Sequence, residues 1–172
     1  MSAVPEARSR LRFDAIEEAR RNWTDRGWDA AEEMAAATSI MRAHQLVQGR
    51  VDAALKPFDL TFARYEVLAL LYLSRRGALP IGKMGVRLMV HPTSVTHAVN
   101  RLEEQGLVRR APDPADRRTV GAVITPAGAK TAEAATAALG KIRFGMEGLD
   151  TASAQRLTKV IRTLRQHSGD FA

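Results

Sequence analysis

"HPTSVTHAVNRLEEQGLVRRAPDPADRRTVGAVIT", His91 to Thr125, switches from a helical apolar period to an alternating one. Val95, Ala98, Val99 and Leu102 recur three and four residues apart, which places them on one face of a helix. Pro92 stands where a first helical residue has no N–H to satisfy, and Gly106 stands where a helix stops. "LVRRA" (Leu107–Ala111) and "TVGAVIT" (Thr119–Thr125) are β-prone runs on either side of a Pro/Asp-rich turn. They predict a β-hairpin, and its loop exceeds a two-residue turn, so the tip should project.

Working outward, "IGKMGVRLM" (Ile81–Met89) reads as a short helix with Ile81, Met84 and Leu88 on one face, preceded by a single strand rung in "ALPI" (Ala78–Ile81). Thr61 suits the N-cap of a helix over 62–76, which is apolar nearly all round from Tyr65 to Leu73 and should be buried from more than one side. Pro57 ends a long alanine-rich helix over 29–55, in which Met34, Ile40, Met41, Leu46, Val47, Val51 and Leu55 follow a helical period. Gly27 separates it from a mixed-charge helix over 14–23. On the C-terminal side, Thr125-Pro126 opens a helix expected to run to 149. A final helix over 151–168 carries Leu157, Val160, Ile161 and Leu164 on one stripe. The order helix, short helix, tight turn, helix, hairpin is that of a helix-turn-helix with a wing. The fold class is therefore mainly α with a small β-hairpin wing.

Composition narrows the chemistry. The 172 residues are 45% hydrophobic and 26% charged, as in a folded globular chain, and none is cysteine. Disulfides, thiolate metal sites and a cysteine nucleophile are excluded. His44, His91, His97 and His167 share no metal-ligand spacing, and no phosphate loop or nucleophile motif occurs. The expectation is a protein that is not an enzyme, without catalytic residues, metal or cofactor. There is no secretory h-region and no apolar run of membrane-spanning length, so a cytoplasmic protein with no membrane partner is expected. Residues 75–118 carry nine Lys/Arg against four Asp/Glu, a balance of +5 within a net charge of +7. So localised a basic region suits a polyanionic partner.

The polar face of the central helix has the chemistry for that partner. With Val95, Val99 and Leu102 inward, Thr93, Thr96, His97 and Asn100 face outward, flanked by Ser94 and Arg101. Hydroxyls, an amide, an imidazole and a guanidinium meet base edges and phosphates in a major groove. Acids enter only at Glu103 and Glu104, near the helix end.

From Met34 to Leu164 the chain resembles the MarR family of winged helix-turn-helix transcription regulators. The carriers are "HPTSVTHAVNRLEEQGLVRR" and "DPADRRTVGAVITPAG", the second containing an Asp-x-Arg wing motif as Asp116-x-Arg118 and an Ile124-Thr125 exit. The resemblance implies that Arg118 enters a minor groove; Asp116, two residues away, is then its orienting partner, and Arg117 supplies a phosphate contact or a second, unoriented charge. It also implies a homodimer on a pseudo-palindromic double-stranded operator, usually as a repressor. The domain reading is then an N-terminal extension at 1–30 with an extra helix, a DNA-binding lobe at 61–125, and dimerisation helices at 31–60 and 126–172. Leu139, Ile142, Phe144 and the 157–164 stripe offer the apolar surface for such an interface.

Relatives often release DNA on binding a small anionic aromatic effector. Here that pocket would draw on Trp23, Met41, His44, Arg64, Tyr65 and Tyr72. Trp23 and Trp28 either contact such a ligand or pin the extension in place. An effector-independent regulator, or a winged helix used for protein contacts, are the alternatives.

Overall fold

The computed structural model describes residues 11–113 and 116–171, with side chains described outside 113–119. The chain divides into two units, Met1–Leu46 and Val47–Ala172. In the first, α1 (Ala15–Asp25) opens at Asp14, whose carboxylate accepts from the Ile16 and Glu17 amides at 2.9 and 3.3 Å. Gly27 turns the chain at φ +67 toward α2 (Ala31–Leu55), which contributes residues to both units. The corner is held by Trp23 and Trp28, edge to face with ring centres 4.8 Å apart. Trp23 Nε1 donates to the Asp29 carbonyl at 2.9 Å, and the Arg26 guanidinium lies 5.5 Å from the Trp28 ring centre. Glu17 accepts from Arg20 at 2.8 Å and from Arg21 at 3.0 Å, and these bonds hold its carboxyl at about 2, well below the ordinary 4.5.

In the second unit, α2 ends in a 3₁₀ turn at Lys56–Phe58, where Pro57 ends it as expected. Thr61 caps α3 (Phe62–Tyr72) by accepting from the Arg64 amide at 3.4 Å. β1 (Ala78–Pro80) leads directly into α4 (Ile81–Leu88), and Met89 at φ +55 and Val90 form the tight turn to α5 (Pro92–Glu104). Gly85 lets the turn approach closely, since a Cβ there would stand 3.1 Å from the Val90 carbonyl oxygen and the backbone would have to give by a few tenths of an ångström. β2 (Val108–Asp113) and β3 (Asp116–Ile124) form the hairpin. The sheet order is β1-β3-β2, all antiparallel, with Ala78 opposite Val123 and Val123 opposite Arg109. Thr125 caps α6 (Pro126–Lys141) through the Gly128 amide at 3.0 Å, and Asp150 caps α7 (Thr151–His167) through the Ser153 amide at 2.6 Å.

The core joins α3, α5 and the inner sheet face. Leu68, Leu71, Val99, Leu102 and Ala122 are fully buried, and Val95 and Val108 nearly so. Each large side chain among them contributes about 1.5–3 kcal/mol by leaving water. The inward face expected of α5 is the observed one.

Three expectations need correction. The helix opened by Pro126 does not reach 149: it stops at Lys141, and Arg143, Phe144 and Gly145 all take positive φ in a 3₁₀ turn at Arg143–Gly145. Arg50 Nη1 donates to the Gly145 carbonyl at 2.8 Å, and Gly145 approaches the Val47 backbone closely, so tertiary contact overrides helical continuity. α3 ends at Tyr72 instead of 76, and Leu73 is 80% exposed, so its apolar run is not buried all round. Leu139, assigned to an interface, is fully buried in the unit's own core, whereas Phe144, Leu157, Val160 and Leu164 are exposed.

Two outcomes follow from this packing. Ala raises helix propensity over Gly by about 1 kcal/mol, yet Gly128→Ala should destabilise the protein by about 1–3 kcal/mol in urea unfolding. Its Cβ would lie 2.0 Å from the Leu107 carbonyl oxygen; a stabilised variant would mean that the α6–β2 joint is looser than described. Because Glu17 is depressed in the folded unit, its contribution is present above the ordinary pKa of 4.5 and lost as pH falls toward about 2. Both tryptophans of the chain report on this corner. Their emission should hold steady above pH 5 and change across that acid window, and Glu17→Gln should remove the change; an equal transition in the variant would place it elsewhere.

Candidate nucleic-acid interface

α5 is presented by its own caps. At its start the His91 Nδ1 accepts from the Thr93 amide at 3.3 Å. At its end Gly106, at φ +70, lets its own amide reach the Glu103 carbonyl and the Leu107 amide reach that of Leu102, both at 2.9 Å. With one face sunk into the core, Thr93, Ser94, Thr96, His97 and Arg101 are exposed and Asn100 is half-buried. The side chains predicted to read DNA therefore share one solvent-facing surface. Several already have a local partner. Thr96 Oγ1 donates back to the Pro92 carbonyl at 3.1 Å, and Arg101 pairs with Glu104 at 2.7 Å. An exposed pair of that kind is worth less than about 1 kcal/mol, so Arg101 is free to exchange it for a phosphate.

One residue that the sequence reading did not single out organises this surface. The Arg110 amide of β2 donates to Glu103 Oε1 at 3.0 Å, its Nε lies 3.5 Å from Glu103 Oε2, and its Nη2 donates to Asn100 Oδ1. Arg110 thus braces the wing strand against the helix through an acid and an amide. Strand alternation held the signal: Arg110 lies two residues from the buried Val108, on the same inner face. Asn100 is in consequence partly committed to structure. Asp116 and the two arginines, Arg117 and Arg118, lie in β3 by their backbone, and their side chains lie outside the described residues.

Of the candidate effector residues in the second unit, Tyr65 and Tyr72 share a cavity that Arg64 does not line. Tyr65 and Tyr72 line a cavity of about 380 Å³ with Glu133 and Thr136. Tyr65 is buried, its hydroxyl 3.1 Å from Thr136 Oγ1, and the Tyr72 hydroxyl donates to Glu133, which raises the phenol above its ordinary range. Arg64 instead lines a cavity of about 390 Å³ beside α5, with Ser94, His97 and Arg101. Trp23, Met41 and His44 belong to the first unit, where Trp23 is engaged with Trp28 and Asp29, and Met41 and His44 are exposed. Among the described residues no cluster of His, Asp and Glu could hold a metal ion, and no helix is long and apolar enough to cross a membrane.

The sequence profile of the MarR family matches residues 60–120, from the end of α2's following turn through most of the wing. Sco5413, a MarR family transcriptional regulator from Streptomyces coelicolor, is 48% identical, with a TM-score of 0.74 over 81% of this chain and 97% of that one. Sco3205, a MarR family transcriptional regulator from the same organism solved in complex with DNA, is 25% identical, with a TM-score of 0.73 over 81% and 89% of the two chains. The HTH-type transcriptional regulator YhbI of Bacillus subtilis (strain 168) is 31% identical over 115 residues, 66% of this chain and 73% of the relative.

Proposed function

The chain belongs to the MarR family of transcriptional regulators, and we propose that it controls transcription by binding a two-fold operator through α5 and the wing. The observation that carries this reading is the surface of α5. Thr93, Ser94, Thr96 and His97 are exposed together on a helix whose opposite face is buried, beside a hairpin braced by Arg110. Short polar side chains on a helix seated in the major groove read base edges, and phosphate contacts from the basic flank fix the register. Within the basic region from 75 to 118, Arg101, Arg117 and Arg118 supply contacts to DNA.

The wing extends the reading to the minor groove. Arg118 enters it, drawn by the negative potential of a narrow groove, and Asp116 two residues earlier orients the guanidinium. Arg117 contacts a phosphate. Two copies of the chain place two α5 helices on successive major-groove faces, so the operator is pseudo-palindromic. Residues 31–60 and 126–172 form the dimer. Exposed Val160 and Leu164 on α7, with Phe144 before it, support this, since a second copy would cover them. The protein works in the cytoplasm as a repressor, and a small aromatic effector that enters the cavity at Tyr65 and Tyr72 releases it.

Fluorescence anisotropy on operator DNA tests the proposal. Arg118→Ala should weaken binding at least tenfold with unchanged circular dichroism, and should reduce the slope of log affinity against log salt by about one. His97→Ala or Thr93→Ala should instead erode discrimination against a changed base pair, normally about 1–3 kcal/mol per position. An Arg118 variant with wild-type affinity and slope would remove the wing from the mechanism. Equal losses on every sequence would reduce the α5 residues to phosphate contacts.

A further inference from the structure

The sheet has a second face, turned away from the core, that the DNA-binding reading leaves unused. Strand alternation puts Ala78, Val123 and Arg109 in one row across the three strands, and Pro80, Gly121 and Ala111 in the next. Because Ala78, Pro80, Ala111 and Val123 are small, and Gly121 has no side chain, the rows leave a cavity of about 460 Å³ over the sheet. Arg76 from the turn before β1, Lys83 from α4 and Arg109 from β2 line the same cavity, and all three are exposed. Among the described residues no acid lines it.

An apolar floor beneath three cations discriminates between polyanions. A DNA backbone would satisfy the cations but bring only the C–H edges of its deoxyriboses, and no flat apolar face, to the floor. A small ligand with a flat apolar body covers the floor and places its charge at the rim, the usual construction of a ligand cleft of this size. Three cations match a doubly charged group, a phosphate monoester or a pair of carboxylates, better than a single carboxylate. The cavity at Tyr65 and Tyr72 is opposite in character: its charged side chain is Glu133.

This site also has a route to α5. Arg109 and Arg110 are neighbours on β2 and point to opposite faces of the sheet. Arg109 lines the cavity, and Arg110 holds Glu103 and Asn100 of the recognition helix. A ligand that draws Arg109 acts on the strand that carries the brace. We propose that the outer sheet face binds a small dianion with a flat apolar body, and that its occupancy alters the affinity of α5 for DNA. The second half rests on the DNA-binding reading; the first does not.

The full chain, titrated with 1-naphthyl phosphate and followed through backbone amide resonances, tests this. Shifts should concentrate at Ala78, Ala111, Gly121 and Val123. Binding should be at least tenfold tighter than for 1-naphthol or inorganic phosphate alone. A parallel titration with naphthalene-2,3-dicarboxylate separates the two kinds of dianion, and binding of either at these amides supports the site. The double variant Lys83→Gln/Arg109→Gln should keep its circular dichroism and lose at least tenfold in probe affinity. Operator affinity, measured with and without saturating probe, should differ at least threefold. Shifts centred on Tyr65 and Tyr72, or equal probe affinity in the variant, would overturn the site. A variant that loses operator affinity while the wild type binds no probe would assign the three cations to the DNA backbone and overturn it as well. Binding at the site with unchanged operator affinity would overturn the coupling alone. Failure of the wild type to bind any operator without probe would count against the DNA-binding reading and leave the site standing.

Discussion

The recognition helix, the hairpin and α6 meet at the Leu107 carbonyl, and the orientation of the rest follows from that joint. The Thr125 amide donates to it at 3.1 Å, Thr125 Oγ1 lies within hydrogen-bond distance of it and of the Gly106 carbonyl, and Gly128 of α6 packs directly against it. The end of α5, the return of β3 and the start of α6 are thus tied at one peptide. The tie leaves little freedom in the angle at which the hairpin leaves the recognition helix, because Gly106 has already ended the helix in a left-handed turn. Arg110 sets the same angle a second time, from the next turn of α5.

A rigid wing root matters because recognition from two grooves is a geometric problem before it is a chemical one. The exposed side chains of α5 gain specificity only if the helix enters the groove in a fixed register, and a wing that pivoted would lose that register. Pre-organising the two elements in the free protein lowers the ordering cost of binding. The same rigidity makes the sheet a lever: a ligand on its outer face acts on strands whose inner face already holds the helix.

Much of this lobe was legible in the residues. Val95, Ala98, Val99 and Leu102 announced the buried face of α5, Pro92 and Gly106 its ends, and Thr61 and Thr125 the caps of α3 and α6, because capping and periodicity are local and follow from backbone hydrogen bonding. What stayed hidden was decided by contacts distant in sequence. The break after Lys141 depends on Arg50 reaching the Gly145 carbonyl, across 95 residues. The Arg110 brace depends on a strand and a helix meeting at one register. The candidate effector residues rest on the family resemblance alone, and within the second unit Arg64 faces α5 while its sequence neighbour Tyr65 is buried toward Thr136. Adjacent helical positions differ by about 100° in direction, so proximity along the chain was no guide to a shared cavity.

Selection of bound duplexes from a random pool tests most directly that two copies of this chain read DNA through α5 and the wing. The expected result is enrichment of an inverted repeat whose half-sites are centred about one helical turn apart, roughly 10 base pairs. Enrichment of a single unrepeated motif, or of no motif at all, would contradict it.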